Sequence, residues 1–107
     1  MTYELLQTIQ PELKDNFNVN ETLTLLRRYG WGFLSWGARG FVNVQDKGLL
    51  FRVNGRFHKG YVLITLDWTD LYCVTLISTQ SNIKGKMEMV FFAELFRTID
   101  EKIETKV

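Results

Sequence analysis

The hydrophobic pattern changes period twice along this chain, and the changes mark its elements. Leu5, Leu6 and Ile9 have helix-like spacing, and Pro11 limits their extension, so residues 1–17 read as a short helix or an ordered arm. Residues 18–30 read as a fuller helix. Asn18 stands as N-cap with Glu21 three positions on, and Val19, Leu23 and Leu26 share a face that Leu25 and Tyr29 widen. Gly30 occupies the place of a helix-ending glycine. From Trp31 the period becomes two. Trp31–Trp36 reads as a strand, interrupted at Gly37-Ala38-Arg39-Gly40 and continued by Phe41–Val44. Asp46-Lys47-Gly48 is a turn signal, after which Leu49, Phe51 and Val53 alternate with Leu50, Arg52 and Asn54. Asn54-Gly55 opens a loop that extends to Gly60. Val62, Ile64 and Leu66 give the most regular alternation, and Asp67-Trp68-Thr69-Asp70 connects them to a returning strand, Tyr72–Ser78. Ser81-Asn82 marks a further turn before a weaker strand, Gly85–Val90. Over 91–104 the period is again 3.6, with Phe92, Leu95, Phe96, Ile99 and Ile103 on one face and Glu94, Arg97, Glu101 and Glu104 on the other.

Successive strands joined by short turns, with helices at both ends, predict an α+β fold. The expected architecture is an antiparallel β-meander of about four to five strands over 31–90, covered by an N-terminal and a C-terminal helix, with 1–107 as one domain. No repeat or low-complexity segment divides the chain.

Composition adds an asymmetry that the net charge conceals. The formal charge is +1, yet residues 27–60 hold seven bases (Arg27, Arg28, Arg39, Lys47, Arg52, Arg56, Lys59) against the single acid Asp46. Residues 1–26 carry one base and four acids, and residues 61–107 carry five bases and seven acids. Tyr29, Trp31, Phe33, Trp36, Phe41, Phe51 and Phe57 interleave with the central bases. Bases suit phosphates and aromatic faces suit stacked bases, so this stretch is a candidate nucleic-acid surface. It also fits a sheet core with solvated neighbours. Arg27 and Arg28 are accounted for by the last turn of the first full helix, where cations complement the macrodipole, and Lys47 by its turn. The candidate binding surface therefore reduces to Arg39, Arg52, Arg56 and Lys59, with Trp36, Phe57 and Trp68 as candidate aromatic contacts. Arg52 alternates with the core set and is expected on the opposite sheet face, which Tyr61, Leu63 and Thr65 share. Such a part-apolar, part-basic face suits a protein partner or a second copy of the chain.

The chain offers little for catalysis. His58, its only histidine, lies among Arg56, Phe57 and Lys59, with no carboxylate to orient it, and is expected as a loop residue on a cationic surface. Asp67 and Asp70 are read as turn-formers rather than a paired acid and base or a metal site. Gly37-Ala38-Arg39-Gly40 lacks the spacing of a phosphate-binding loop and is read as a bend or bulge. Cys73 is the single cysteine, so it forms no intramolecular disulfide or multi-cysteine zinc site, and its apolar surroundings suit an inert buried thiol. No catalytic, cofactor or metal residues are assigned, and a non-enzymatic role is expected. The start of the chain lacks a signal-peptide apolar core and no run approaches the ~20 residues of a membrane span, so a cytoplasmic protein with no membrane partner is expected.

The segments Tyr29-Gly30-Trp31-Gly32-Phe33, Gly37-Ala38-Arg39-Gly40-Phe41, Gly48-Leu49-Leu50-Phe51-Arg52-Val53, Ile64-Thr65-Leu66-Asp67 and Asp70-Leu71-Tyr72-Cys73-Val74 together carry a resemblance. The chain is similar, over roughly 22–104, to a group of small uncharacterised proteins encoded by bacterial genomes, phages and mobile elements. It departs from their pattern at Trp36, where a small hydroxyl residue is usual, and at Gly40 and Cys73, where polar residues are usual. The resemblance implies one domain and a bacterial mobile-element setting, and brings no activity with it. Two functions are carried forward: an accessory protein-interaction or self-associating module, and a nucleic-acid-binding domain using 27–60.

Overall fold

Leu49, Leu50 and Phe51 are three successive buried residues on one strand, and a strand buried on both faces needs a layer on each side. The computed structural model, which describes residues 2–104, has those layers. Met1 and residues 105–107 of the expected domain lie outside the described residues. Five strands, β1 (Arg39–Val44), β2 (Gly48–Asn54), β3 (Lys59–Leu66), β4 (Tyr72–Ile77) and β5 (Ile83–Val90), form an antiparallel sheet in sequence order. The α+β meander is as expected.

α1 (Tyr3–Ile9) is capped by Thr2, whose hydroxyl accepts from the Leu5 N–H at 3.2 Å. Pro11 sits at the start of a 3₁₀ turn, Gln10–Glu12, where its missing N–H costs nothing. Leu5 and Ile9 pack with Val44, Leu50, Leu63 and Ile77 on one face of the sheet. α2 (Val19–Arg27) begins at Asn18, whose side chain accepts from the Glu21 N–H at 3.0 Å, as its capping signature predicts. α4 (Leu95–Ile103) follows a 3₁₀ turn, Phe92–Glu94. Val19 and Leu26 of α2 and Leu95, Ile99 and Ile103 of α4 bury Leu49, Phe51, Val53, Val62, Ile64, Val74 and Leu76 on the other face. Each fully buried large apolar side chain contributes about 1.5–3 kcal/mol.

Two expectations change. Trp31–Trp36 is not a strand: α3 (Trp31–Leu34) and the turn after it carry those residues, with Leu34 N–H bonded to Gly30 O and Ser35 N–H to Trp31 O. Phe33 and Trp36, three apart, share the buried side, which is a helical spacing that a short aromatic run cannot distinguish from strand alternation. The outer sheet face is also not an open apolar surface. Leu63 (0%) and Thr65 (2%) are buried, Leu63 within the cluster under α1. No helix of the described residues is long and apolar enough to cross a membrane.

Candidate anion-binding groove

α1 covers its face of the sheet only in part. Its seven residues span about 10 Å, whereas the eight residues of β3 span about 26 Å. The burial pattern records where the cover ends. β2 is buried on both faces through Phe51 and then alternates, Arg52 and Asn54 being exposed and Val53 buried. On β3 the same face runs from buried Leu63 through half-buried Tyr61 to exposed Lys59.

Beyond that boundary the register gathers cations. Arg39 pairs directly with Arg52, Arg52 with Tyr61, and Asn54 with Lys59. Directly paired residues of antiparallel strands leave the sheet on the same side, as do residues two apart on one strand. Arg39, Arg52, Asn54 and Lys59, together with Thr79 of the β4–β5 turn, line a groove of about 260 Å³ with Val53 and Gly60. The Arg52 guanidinium rests over the Tyr61 ring, 5.7 Å from its centroid. Among the described residues the ion pairs are Lys86–Glu12 and Arg97–Glu101, and neither involves a cation of the groove.

Local chain geometry places Arg39. Gly37 and Gly40 take positive φ (62° and 65°), and the β1–β2 register shifts between Arg39 and Val42. The Gly37–Gly40 step is thus the bend and bulge that its spacing suggested. It delivers Arg39 opposite Arg52 while Phe41 packs beneath the sheet against Phe51, ring centroids 5.2 Å apart.

The remaining expected residues separate. Arg56 lies in the β2–β3 loop with its guanidinium 5.6 Å from the Phe57 ring centroid, and does not line the groove. Phe57, in the same loop, is 47% exposed. Trp36 is not available for stacking: it is wholly buried, its indole N–H donates to Asp100 Oδ1 at 2.9 Å, and Phe96 stacks on it at 4.9 Å. Trp68 is exposed, but at the β3–β4 turn, the far end of β3 from the groove. Arg27, over the Phe41 ring at 5.5 Å, belongs to the opposite face with α2.

His58 is buried rather than on a cationic surface. Its Nε2 lies 3.1 Å from Tyr61 O, and burial lowers its pKa from 6.5, opposed by that hydrogen bond and assisted by nearby Lys84. β3 separates it from Asp67 and Asp70. Asp67 Oδ1 accepts from the Thr69 hydroxyl and N–H and the Leu71 N–H, which makes a turn and holds the carboxyl below its ordinary range, the hydroxyl contributing most. Cys73 is half-buried, and burial pushes its thiol pKa up. It borders a pocket of about 90 Å³ whose Lys86 is already paired with Glu12. A third concavity, about 300 Å³ between Glu21, Asp70, Tyr72 and Phe92, carries acids and no base.

Asn54 and Thr79 escaped the sequence reading as contributors to the groove. Asn54 carried only a turn signal, and nothing local marks Thr79, which the β4–β5 turn brings in from outside the basic stretch. No family model, curated protein or solved structure matches the chain.

Proposed function

We propose that the protein binds a phosphate-bearing polyanion, in the first place nucleic acid, through the groove of Arg39, Arg52 and Lys59. The supporting observation is the register itself. Like charges placed directly opposite destabilise a sheet, and Arg39 faces Arg52 with no carboxylate paired to either among the described residues. An external anion neutralises that pair. Three groove cations, with Arg56 nearby, contact at most about four phosphates, so the logarithm of affinity falls against that of salt with a slope of about −2 to −3.5. Fluorescence anisotropy of a labelled oligonucleotide at two ionic strengths tests the reading. Salt-sensitive binding that Arg52→Glu abolishes supports it, and no binding at low salt overturns it.

A second reading, a protein-interaction or self-associating module, draws on the exposure of Trp31 (86%) and Trp68 (77%), since exposed indoles are frequent interface anchors. The apolar outer sheet face that first suggested it is occupied by α1. Light scattering across a wide concentration range tests the homodimer, and a strict monomer removes it. An accessory role in a mobile element, which the resemblance implies, suits either activity.

A further inference from the structure

Resting on the reading of the groove as a phosphate site, we infer that Tyr61 is its positioning residue. Tyr61 does not line the groove, and it acts by holding the Arg52 guanidinium in the space that Arg39 shares. The need for such a residue follows from the register. Arg39 and Arg52 are directly paired, so their like charges repel, and no carboxylate among the described residues draws either of them into place. An exposed arginine also has many rotamers, and fixing one of them on a ligand costs conformational entropy. Left to those two effects, the Arg52 side chain would turn away from Arg39 into water. The structure instead sets its guanidinium 5.7 Å from the centroid of the Tyr61 ring, within the range over which a ring face attracts a cation.

Tyr61 can serve as a platform because β2, β4 and α1 all restrain it. It pairs with Arg52 on β2 and with Ile77 on β4, so its backbone is held from both sides. Its carbonyl oxygen lies 3.1 Å from His58 Nε2. Its side chain packs against the cluster of Leu5, Ile9, Leu50, Leu63 and Ile77 that α1 closes, and stays half-buried where that cover ends. The side chain is thus anchored at the edge of α1 while its ring remains open to Arg52, a directly paired cross-strand neighbour on the same sheet face. The other cation–aromatic contacts among the described residues do not serve the groove. Arg27 over Phe41 belongs to the α2 face and Arg56 over Phe57 to the hairpin loop, and neither arginine lines it. Of Arg39, Arg52 and Lys59, Arg52 is the cation set on a ring.

Fluorescence anisotropy of a labelled thymidine oligomer at low salt tests the inference on the full chain. Tyr61→Leu keeps apolar bulk beside α1 and every cation of the groove but removes the ring. It should weaken binding about two- to fivefold, the scale of one exposed cation–π contact, and Tyr61→Phe should keep the parent affinity. In an Arg52→Ala background the Tyr61→Leu change should have no further effect, since a residue acting through Arg52 then has nothing to position. Three results overturn the positioning role and leave the groove standing: undiminished affinity in a Tyr61→Leu variant with native circular dichroism, an equal loss in the Arg52→Ala background, or Tyr61→Phe binding as weakly as Tyr61→Leu. The contact is also read without any substitution. In the ligand-free parent, the ring current of Tyr61 should shift the Arg52 side-chain proton resonances upfield, and ordinary shifts overturn the role even where Tyr61→Leu fails to fold. Absence of binding by the parent at low salt overturns the groove reading and the inference with it.

Discussion

Trp36 and Asp100 join the segment after α3 to α4 through one hydrogen bond, indole Nε1 to Oδ1 at 2.9 Å, with the donor ring completely shielded from water. An indole N–H in an apolar interior keeps its full desolvation cost when its acceptor is removed. Asp100→Ala should therefore destabilise the fold by about 1–3 kcal/mol, and Asp100→Asn, which retains an acceptor, by clearly less. Urea unfolding of the two variants checks this. Equal losses would show that the carboxylate acts through something other than Trp36.

Arg39 and Arg52 predict an opposition between stability and binding. Replacing Arg52 by Glu converts a like-charge cross-strand pair into an opposite-charge one, a change of about 0.5–1 kcal/mol in favour of the folded state. The same substitution removes a groove cation. Arg52→Glu should melt at or above the parent temperature while losing oligonucleotide affinity. A melting temperature well below the parent would mean that the Arg52–Tyr61 contact outweighs the repulsion.

Gly60 takes φ 146°, and a Cβ built on it would stand 2.3 Å from the Ile77 carbonyl oxygen of the neighbouring strand. That oxygen belongs to the β3–β4 ladder and cannot withdraw without breaking it. Gly60→Ala is expected to cost at least about 2 kcal/mol from backbone strain alone, read as a lowered denaturant midpoint with the slope unchanged.

His58 predicts a pH dependence of definite sign. Burial disfavours the imidazolium, so the folded-state pKa lies below the ordinary 6.5, with Lys84 adding to the effect. As pH falls through 6.5 the unfolded chain takes up a proton that the folded chain resists. Stability from this group is complete above that pH and declines below it, towards the folded pKa. Measured between about pH 7.5 and 5.5, the parent should lose stability relative to His58→Gln. Parallel profiles would show that His58 is not the responsible group.

Much of this molecule is legible along the chain because it is encoded locally. Asn18, Gly30 and the Leu95–Ile103 spacing state their helices by capping and period, and the alternations of Val62–Leu66 and Leu49–Val53 state their strands. The failures have a common cause. Trp31–Trp36 carries too few residues to separate period two from period 3.6, and its helical state depends on Trp36 finding Phe51 and Phe96 and on Phe33 finding Phe41. His58 is polar by type, and only the folded chain buries it with Nε2 3.1 Å from Tyr61 O.

The sequence by itself determined the meander, the helices at its ends and the excess of cations in 27–60, since each is a property of neighbours in the chain. Only the tertiary structure decided which of those cations form a site. Arg39 meets Arg52 because of a bulge, Lys59 joins them because of a hairpin register, and Thr79 arrives on a turn from outside the basic stretch. The outer face stays open there because α1 is too short to cover it all, and it is closed over Leu63 where α1 reaches. Burial and charge convergence are set by which surfaces the folded chain brings together, and that pairing across distance is not written in any single segment.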